Sequence, residues 1–461
     1  MAVCSSITLS QVEYLRLDAD YYQPKYLNEL ETWRKLDERV GISKLAHLIS
    51  APVRTGRTPS LRNIRNDDVI IPFIKTDGIR EGWINFESAG ELPRRVLAQS
   101  DFIRPNSVVV TIIGATPEIV GRAAIVRESD PKCVTNQNVA VISTNGKCDP
   151  YFLTAYFQTS WGRDQLWRHS RRTEQVNLNC REVERVLVPV PDISIQNRIG
   201  NLVRNSFEAI DKAKLLYVQA QSLLESELGL DKLTFDKPVS YSSPYSACLS
   251  EGRIDADYFQ PKYLQMRSLI ESYPGGYDCL LSYCDVLAPN FDPRKHPKET
   301  FKYIELANIE ASIGLVEGFT EDLGLNLPLR AKRMVTHGDV IASSVVGSVE
   351  KSALITDEDG YLASTGFFHF RPKNISSEFL LVLVRSVFVR MQLQQQATGG
   401  ILSAVPEQRL CHIVVPRIPK ALQDEITLLV RQAHRARKES KRLLDQAKHR
   451  VEALIEEAIA V

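Results

Sequence analysis

The chain has 461 residues, of which 44% are hydrophobic and 25% charged, and its formal net charge at pH 7 is +1. The length predicts more than one domain, and the composition is that of an ordinary soluble globular protein. The near-neutral balance excludes a uniformly basic protein, so any attraction for a polyanion must come from local patches.

Three further features narrow the class of protein. No uninterrupted run of about 18 apolar residues occurs, so no membrane span is expected. The N-terminus lacks a basic leader followed by an apolar core, which argues against secretion. The eight cysteines are scattered and form no C-x-x-C pair, so neither a zinc knuckle nor a disulfide framework is expected. Together these features predict a cytoplasmic protein with reduced thiols.

The first element along the chain is an eleven-residue signature that occurs twice. LDADYYQPKYL at Leu17–Leu27 returns as IDADYFQPKYL at Ile254–Leu264, with nine identical residues. A repeat distance above 200 residues indicates two related globular units rather than a solenoid. We interpret the signature as a packing element, a short capped helix that docks each unit onto long helices. The alternative is a catalytic or Mg²⁺-binding role for its carboxylates, Asp18, Asp20, Asp255 and Asp257.

A mixed segment of strands and turns follows each signature. The strand-like runs are DDVIIPFIKTDGI, NSVVVTIIGA and QNVAVIST in the first copy, and FKYIELANI, GDVIASSVVGS and STGFFHFRP in the second. Helical patterns come next, PYFLTAYFQTSWGRDQLW in the first copy and SEFLLVLVRSVFVRMQLQQQ in the second. Each unit is therefore predicted to be α+β, with strands first and helices last.

Each copy ends in a proline-rich exit and a long helix. The exits are VPVPDISIQNRIGNLV and VPRIPKALQDEITLLV, and proline favours an extended residue before it. Each helix is predicted to run roughly 35 residues, or about 50 Å. Its seam residues alternate in steps of four and three, the heptad spacing of a coiled coil. They are Ile199, Val203, Ser206, Ile210, Ala213, Tyr217, Ala220 and Leu224 in the first helix, and Leu429, Ala433, Ala436, Ser440, Leu443, Ala447, Arg450 and Leu454 in the second. We expect the helices to pair with one another; the alternative is that each packs on its own domain.

No motif in the sequence supports a reactive centre. GATPEIVGRAA has six residues between Gly114 and Gly121 and then Arg, whereas a phosphate loop has four and then Lys. CDPYF lacks the second proline of the Asp-Pro-Pro-Tyr signature of amino-group methyltransferases. The eight histidines show no metal-ligand spacing. We therefore predict no catalytic residue, no metal site and no cofactor in this chain.

The order and duplication of these segments resemble the specificity subunit of type I restriction-modification systems. IPFIKTDGIREG and KYIELANIEASIG resemble the opening strand of that family's recognition domain. GDVIASSVVGSVEKSAL resembles its Gly-Asp strand, and NSVVVTIIGATPEIVGRAAIV is the counterpart in the first copy, with Asn106-Ser107 in place of Gly-Asp. NQNVAVI resembles the family's Asn-Gln strand, where the second copy has ASTGFFHF. ATGGILSAVPEQRLCHIVVPRIP resembles the segment that feeds the distal helix, and the first copy lacks its glycine pair.

The resemblance implies a fold, a function and partners. The fold would be two tandem mixed α+β target-recognition domains joined by two long antiparallel coiled-coil-like helices, with pseudo-two-fold symmetry. The chain would be a non-catalytic DNA-binding subunit that reads a bipartite target in double-stranded DNA. It would recruit two adenine methyltransferase subunits, which carry S-adenosylmethionine for DNA methylation. A restriction and translocase subunit that uses ATP and Mg²⁺ would join them in a restricting complex.

The repeat also sets the expected domain boundaries. They are a first target-recognition domain at 1–190, a central long helix at 191–232, a second target-recognition domain at 233–418 and a distal long helix at 419–461. The two mixed segments differ in sequence, which implies two different half-sites and a non-palindromic target.

Candidate DNA contacts lie in polar, turn-rich stretches, where Arg and Lys reach phosphates and Gln and Asn reach base edges. In the first unit they are Arg54, Arg57, Arg62, Arg65, Lys75, Arg80, Arg168, Arg171, Arg172, Gln175 and Asn177. In the second they are Arg294, Lys295, Lys298, Arg330, Lys332, Arg333, Gln394, Gln395 and Gln396. The basic run RQAHRARKESKR either meets DNA between the half-sites or forms the solvated face of a helix.

Two other classes of function stay open at the level of the sequence. One is a stand-alone DNA methyltransferase that recognises and methylates its own target. The other is a scaffold whose tandem domains bind protein rather than DNA. Methyl transfer without partners would favour the first, and binding to duplex DNA that weakens with salt would argue against the second.

Overall fold

The computed structural model of the protein describes residues 6–8, 12–13, 16–60, 64–116, 119–172, 176–230, 235, 240–348, 350–399 and 403–460. The chain divides into two compact units, Met1–Glu208 with Glu439–Val461, and Ala209–Lys438. The expected boundaries set the long helices apart as separate domains, whereas this division gives each unit a part of both. Among the described residues, no helix combines the length and the apolar character needed to cross a bilayer.

The first unit contains short helices, two small sheets and the start of a long helix. The helices are α1 (Pro24–Arg39), α2 (Pro150–Gln158), α3 (Ser160–His169), α4 (Cys180–Glu184) and the long α5 (Ile193–Glu227), which continues into the second unit. The strands are β1 (Ile42–Lys44), β2 (Arg54–Thr55), β3 (Ile70–Ile74), β4 (Gly90–Pro93), β5 (Ser107–Thr111), β6 (Ile113–Gly114), β7 (Ala123–Val126), β8 (Val134–Thr135), β9 (Val139–Ile142), β10 (Val176–Asn177) and β11 (Leu187–Pro189). The sheets have the orders β2-β9-β5-β7 and β4-β3-β8, and β1 pairs with β11 and β6 with β10.

The second unit repeats this plan with additional strands. Its helices are α6 (Tyr245–Glu251), α7 (Pro261–Glu271), α8 (Ser377–Arg385), α9 (Val387–Gln396) and α10 (Lys420–Ala460), which continues into the first unit. The strands are β12 (Tyr277–Cys279), β13 (Cys284–Val286), β14 (Thr300–Ile304), β15 (Ile309–Glu310), β16 (Leu315–Val316), β17 (Thr320–Leu323), β18 (Ala331–Val335), β19 (Val340–Ser343), β20 (Ser352–Leu354), β21 (Tyr361–Ser364), β22 (Phe367–Pro372) and β23 (Val414–Pro416). The sheets have the orders β13-β22-β19-β20-β16-β15 and β17-β14-β21-β18, and β12 pairs with β23.

The two units match strand for strand. β3 pairs antiparallel with β4 and parallel with β8, and β14 does the same with β17 and β21. The antiparallel series β2-β9-β5-β7 recurs as β13-β22-β19-β20. The second unit adds β18 to one sheet and β15 and β16 to the other. The duplication read from eleven residues therefore extends through the sheets of both units, and the predicted α+β class is confirmed.

One backbone position explains an exchange between the copies. Gly338 precedes the strand β19 with φ +86°, and Asn106 precedes the equivalent β5 with φ +60°. Asn106 is the one residue other than glycine with positive φ in the described part of the chain. Asparagine tolerates this left-handed conformation better than most residues, so Asn-Ser can replace Gly-Asp without loss of the turn.

The predicted seam of the first long helix is confirmed over its whole length. All eight seam residues of α5 are buried, from Ile199 at 5% exposure to Leu224 at 0%. In the second unit, buried residues of α5 and α10, such as Tyr217 and Val430, lie in one core with Leu381 of α8. The long helices therefore share a core with each other and with the recognition fold of that unit, so the two alternatives for their packing are combined.

The predicted seam of α10 is right in the middle and shifted at both ends. Ser440, Leu443 and Ala447 are buried, but Arg450 is exposed and Val451 takes its place. Leu429 is likewise only half-buried beside the buried Val430. A straight α-helix drifts by about 20° per heptad from a strict 3.5-residue repeat, so a long seam must slip by a residue.

The repeated signature forms an internal clamp. Arg16 donates to the Asp18 carboxylate at 2.8 and 2.6 Å and to the carbonyl oxygens of His169 and Ser170, at the end of α3, at 2.8 and 3.0 Å. Its guanidinium carbon also lies 4.5 Å from the centre of the Tyr21 ring. The guanidinium thus ties the chain entry to the carbonyl end of a helix, where a cation is favourable.

The second copy repeats the clamp with the same residue types. Arg253 donates to Asp255 at 2.8 and 2.7 Å and to the carbonyl of Ala397, at the end of α9, at 2.9 Å. It lies 4.6 Å from the centre of the Tyr258 ring. The clamped elements are thus α3 and α9 and not the long helices, which corrects the expected docking. The first carboxylate of each signature is engaged in this clamp.

A buried charged cluster in the second unit replaces a pair of serines in the first. Asp339 accepts hydrogen bonds from His369 at 2.7 Å and from Arg371 at 2.8 and 2.9 Å. Burial alone would raise the pKa of Asp339, but these hydrogen bonds hold its pKa well below the ordinary value. At the matching places of β5 and just after β9, the hydroxyls of Ser107 and Ser143 lie 3.0 Å apart. The same pair of strands is thus joined by an ionic network in one unit and by neutral hydroxyls in the other.

Candidate nucleic-acid interface

The arginine-rich loop around β2 in the first unit is partly tied down by other residues. Arg54 is half-buried, and its Nη2 donates to the carbonyl of Phe102 at 2.8 Å. Arg57 is exposed but donates to the Asp101 carboxylate at 2.8 and 2.6 Å. Those hydrogen bonds lower the pKa of Asp101. Both arginines therefore have internal acceptors already.

Three further cations of this unit are open to solvent. Lys75, directly after β3, is exposed, and its Nζ lies 5.8 Å from the centre of the Phe73 ring. Arg80 and Arg65 are exposed and make no ion pair with other described residues. Arg62 lies outside the described residues. Lys75, Arg80 and Arg65 can therefore meet a ligand phosphate without breaking an ion pair.

The basic stretch after α3 is largely used inside the protein. Arg168 is 4% exposed, and its Nε donates to the carbonyl of Tyr21 at 3.3 Å. Arg172 donates to Asp20 at 2.9 Å and to the Tyr26 hydroxyl at 3.2 Å. These arginines contact the signature, so the structure gives them a packing role.

The remaining candidates of that stretch lie nearer the surface. Arg171 is 65% exposed, although its Nε donates to Glu182 at 2.9 Å. Asn177 is exposed, and its backbone exchanges hydrogen bonds of 2.7 and 3.1 Å with that of Arg171. Gln175 lies outside the described residues.

The loop before β14 in the second unit presents three exposed cations. Arg294, Lys295 and Lys298 make no ion pair with other described residues. Within this loop the Phe291 and His296 rings stack with centroids 5.2 Å apart and planes at 15°. The stacked rings give the loop a fixed shape, so the cations project from a defined surface.

Close backbone packing fixes the same loop from the side of β17. A Cβ atom on Gly324 would lie 2.3 Å from the carbonyl oxygen of Pro293, so only glycine fits there. Pro293 itself is buried, and Asp292 accepts a hydrogen bond from the backbone of Arg294 at 3.2 Å. The sequence marked this stretch as basic, but the ring stack and the glycine contact become visible only in the fold.

The stretch at β18 contains one open cation and one that is paired. Arg330 is exposed and donates to the Tyr303 hydroxyl at 3.1 Å and to the Glu305 carboxylate. Lys332 is exposed and has no ion-pair partner among the described residues.

Two candidates of the second unit are buried. Arg333 is 4% exposed and donates to the carbonyl of Leu287 and to the carboxylate of Glu407. Gln396 is 2% exposed, and its Nε2 lies 3.4 Å from the Tyr258 hydroxyl. Both side chains are directed into the protein rather than towards a ligand surface.

The last two glutamines lie at the end of α9. Gln394 is exposed, whereas Gln395 is half-buried and donates to the carbonyl of Tyr258 at 3.1 Å. The structure therefore leaves seven exposed cations without an ion pair among the described residues. We call these the open cations: Arg65, Lys75 and Arg80 in the first unit, and Arg294, Lys295, Lys298 and Lys332 in the second.

The chemistry of the thiols is that of packing residues. Burial raises the pKa of Cys133, Cys148 and Cys284 to about 12, so these thiols stay protonated near neutral pH. Among the residues that the structure describes, no group of three or more His, Cys, Asp or Glu side chains could hold a metal ion.

Sequence comparison connects this fold to a known family. Residues 40–217 match the family described as "Type I restriction modification DNA specificity domain". They cover the first unit from β1 through α4 and β11 into α5. The chain belongs to the family of type I restriction-modification specificity subunits. The resemblance read from the sequence is thereby confirmed.

The individual relatives are more distant. Over 144 residues the chain is 28% identical to the type I restriction enzyme EcoBI specificity subunit of Escherichia coli, which covers 31% of this chain and 29% of that protein. The chain thus matches less than a third of the length of this specificity subunit.

Two solved structures resemble this specificity subunit over most of its length. The type I restriction-modification S subunit from M. genitalium shares 12% identity at a TM-score of 0.39, covering 90% of this chain and 95% of that one. The HsdS subunit from Thermoanaerobacter tengcongensis shares 16% identity at a TM-score of 0.30, covering 90% and 96%.

Proposed function

We propose that this chain recognises DNA for a type I restriction-modification system and has no catalytic activity of its own. The observation that carries the proposal is the family match of residues 40–217 together with the recurrence of the same sheets in the second unit. Two related domains of different sequence would read two different DNA segments. The target is therefore bipartite and non-palindromic, with an unread spacer between its halves.

The open cations supply the phosphate contacts in this proposal. Phosphate contacts position a protein on the duplex, and polar side chains beside them read the bases. Asn177 and Gln394 are exposed and suited to base edges. Arg168, Arg333 and Gln396 are left out of the proposed surface, because their side chains are buried and bonded inside the protein.

Methylation requires partner subunits in this scheme. The chain would recruit two adenine methyltransferase subunits, which bring S-adenosylmethionine. In a restricting complex, a translocase and nuclease subunit using ATP and Mg²⁺ would join them. The function requires a cytoplasmic location, where the DNA and these subunits are.

The experiment is a pair of assays on the purified chain with and without the methyltransferase subunit. Binding to a duplex is measured over a range of salt concentrations, and methyl transfer is followed with labelled S-adenosylmethionine. We expect binding that weakens with salt, because bound phosphates release counterions, and methyl transfer only when the methyltransferase is added.

The other outcomes identify the rival functions. Methyl transfer by the chain alone would make it a stand-alone methyltransferase. Binding that fails to respond to salt, or no binding to any duplex, would favour a protein-binding scaffold.

A further inference from the structure

The repeated signature contains one side chain that the clamp does not explain. Its arginine, first aspartate and tyrosine are engaged in both units as described above. Leu17, in contrast, is 80% exposed, and the equivalent Ile254 is 89% exposed. Single exposed aliphatic residues are common on protein surfaces. Here, however, the same position is aliphatic and exposed in both copies of a nearly identical segment.

The surroundings of both side chains have the same charge. The side chains of Arg16 and Arg253 are only 6% and 11% exposed, because they lie under the signature. The Asp18 and Asp255 carboxylates beside the aliphatic tips are 46% and 44% exposed. A partner would therefore meet an apolar tip bordered by negative charge, with the balancing guanidinium buried beneath.

We propose that Leu17 and Ile254 are the centres of two equivalent docking sites, here called the signature knobs, for one kind of protein partner. The partner presents an apolar pocket bordered by Lys or Arg, which complements the aliphatic tip and its carboxylates. Nucleic acid does not fit this surface, because its phosphates are repelled by the same carboxylates. Since the two knobs are chemically alike, the same partner binds twice.

The inference rests on the proposed function, which provides an obvious occupant. A methyltransferase subunit recruited in two copies needs two like surfaces on a single chain, and the duplicated signature provides them. The knobs lie outside the open cations in sequence, so partner docking and DNA contact use different residues.

The test compares the full-length wild type with Leu17→Ala, Ile254→Ala and the double variant. Each is mixed with the purified methyltransferase subunit, and bound copies are counted by native mass spectrometry and sedimentation. We expect two copies on the wild type and a roughly tenfold or greater loss of affinity at one site in each single variant, as for truncation of an interface anchor. The double variant should bind none at concentrations that saturate the wild type.

The chain offers matched controls for exposed aliphatic residues. Leu325 and Leu329 are each 65% exposed and lie in the second unit outside the signature. Leu325→Ala and Leu329→Ala should retain two bound copies, and all variants should keep the DNA affinity of the free chain.

Three results would overturn the inference. If the double variant binds two copies as the wild type does, the knobs are not docking sites, although the proposed function stands. If wild type self-associates and the double variant does not, the occupant is a second copy of this chain. If the wild type binds DNA but no methyltransferase, the recruitment step of the proposed function fails and the inference fails with it.

Discussion

The signature shows how a few residues can be repeated for structural reasons. In each copy an arginine joins a carboxylate, an aromatic ring and the carbonyl end of a recognition helix. Each of these contacts needs a particular side chain, so the residue types recur. The sequence indicated a packing element but could not identify its neighbour, because Arg16 and His169 are separated by 153 positions.

Loss of the clamp arginine should destabilise the first unit. Arg16→Ala leaves the carbonyls of His169 and Ser170 without a donor in a buried place, at a cost of about 2–3 kcal/mol. All four tryptophans of the chain lie in this unit, between Trp33 and Trp167, so urea unfolding followed by tryptophan fluorescence reports on it.

The matched control for this variant is Arg34→Ala. Arg34 and its partner Glu31 are 72% and 69% exposed, and such surface pairs contribute about 0.5 kcal/mol. Equal losses of unfolding free energy in Arg16→Ala and Arg34→Ala would contradict the clamp.

A buried histidine should make the first unit sensitive to mild acid. Burial lowers the pKa of His169 to about 3, whereas the unfolded chain protonates near pH 6.5. Because the unfolded state binds the proton more readily, stability is present above pH 6.5 and falls as the pH drops from there towards 3. Between pH 6.5 and 5 the loss is about 2 kcal/mol, at about 1.4 kcal/mol per pH unit.

The comparison with His169→Phe isolates this effect. The variant has no imidazole to protonate, so its free energy of unfolding, measured by tryptophan fluorescence, should change less between pH 6.5 and 5. Parallel pH profiles for wild type and variant would mean that another group is responsible.

At the scale of elements, the strands and long helices were predictable because their periodicities are local. The series β5 is buried at every residue, as its continuous apolar run indicated. The starts of the long helices depend on contacts that are harder to read. Gln196 accepts a hydrogen bond from the backbone of Asp149 and donates to the carbonyl of Pro191, each at 2.9 Å.

This glutamine should anchor the first turn of α5 to the start of α2. Gln196 is 1% exposed, so Gln196→Ala leaves two backbone groups unpaired and should cost about 2–3 kcal/mol of unfolding free energy. The neighbouring Asn197 is exposed, and Asn197→Ala should stay within about 0.5 kcal/mol. Urea titrations of both variants check this. Similar midpoints for the two would remove the anchoring role.

At the scale of the whole molecule, the sequence predicted the duplication and the family but only part of the candidate surface. Local composition marked stretches rich in arginine without revealing the carboxylates that neutralise them. Asp101 lies 44 positions from Arg57, and Glu407 lies 74 from Arg333. Burial of Arg168 against Tyr21 likewise depends on the tertiary fold. The open cations are what is left after these long-range pairs form.

The open cations should govern the salt dependence of DNA binding. Lys75→Ala and Lys298→Ala should each reduce the slope of log affinity against log salt by about 0.9, the contribution of one phosphate contact. Lys420→Ala is the control, because Lys420 is exposed but pairs with Asp424 at 3.0 Å in α10. An unchanged slope in both test variants would exclude them from the interface.

The most direct measurement is selection of bound sequences from a random duplex library by the complete chain with its methyltransferase partner. Two domains of common fold and different sequence should select two short specified segments of different sequence, separated by a spacer of fixed length and random composition. Enrichment of one contiguous motif, or of no motif, would contradict the reading of this chain as a two-part DNA specificity subunit.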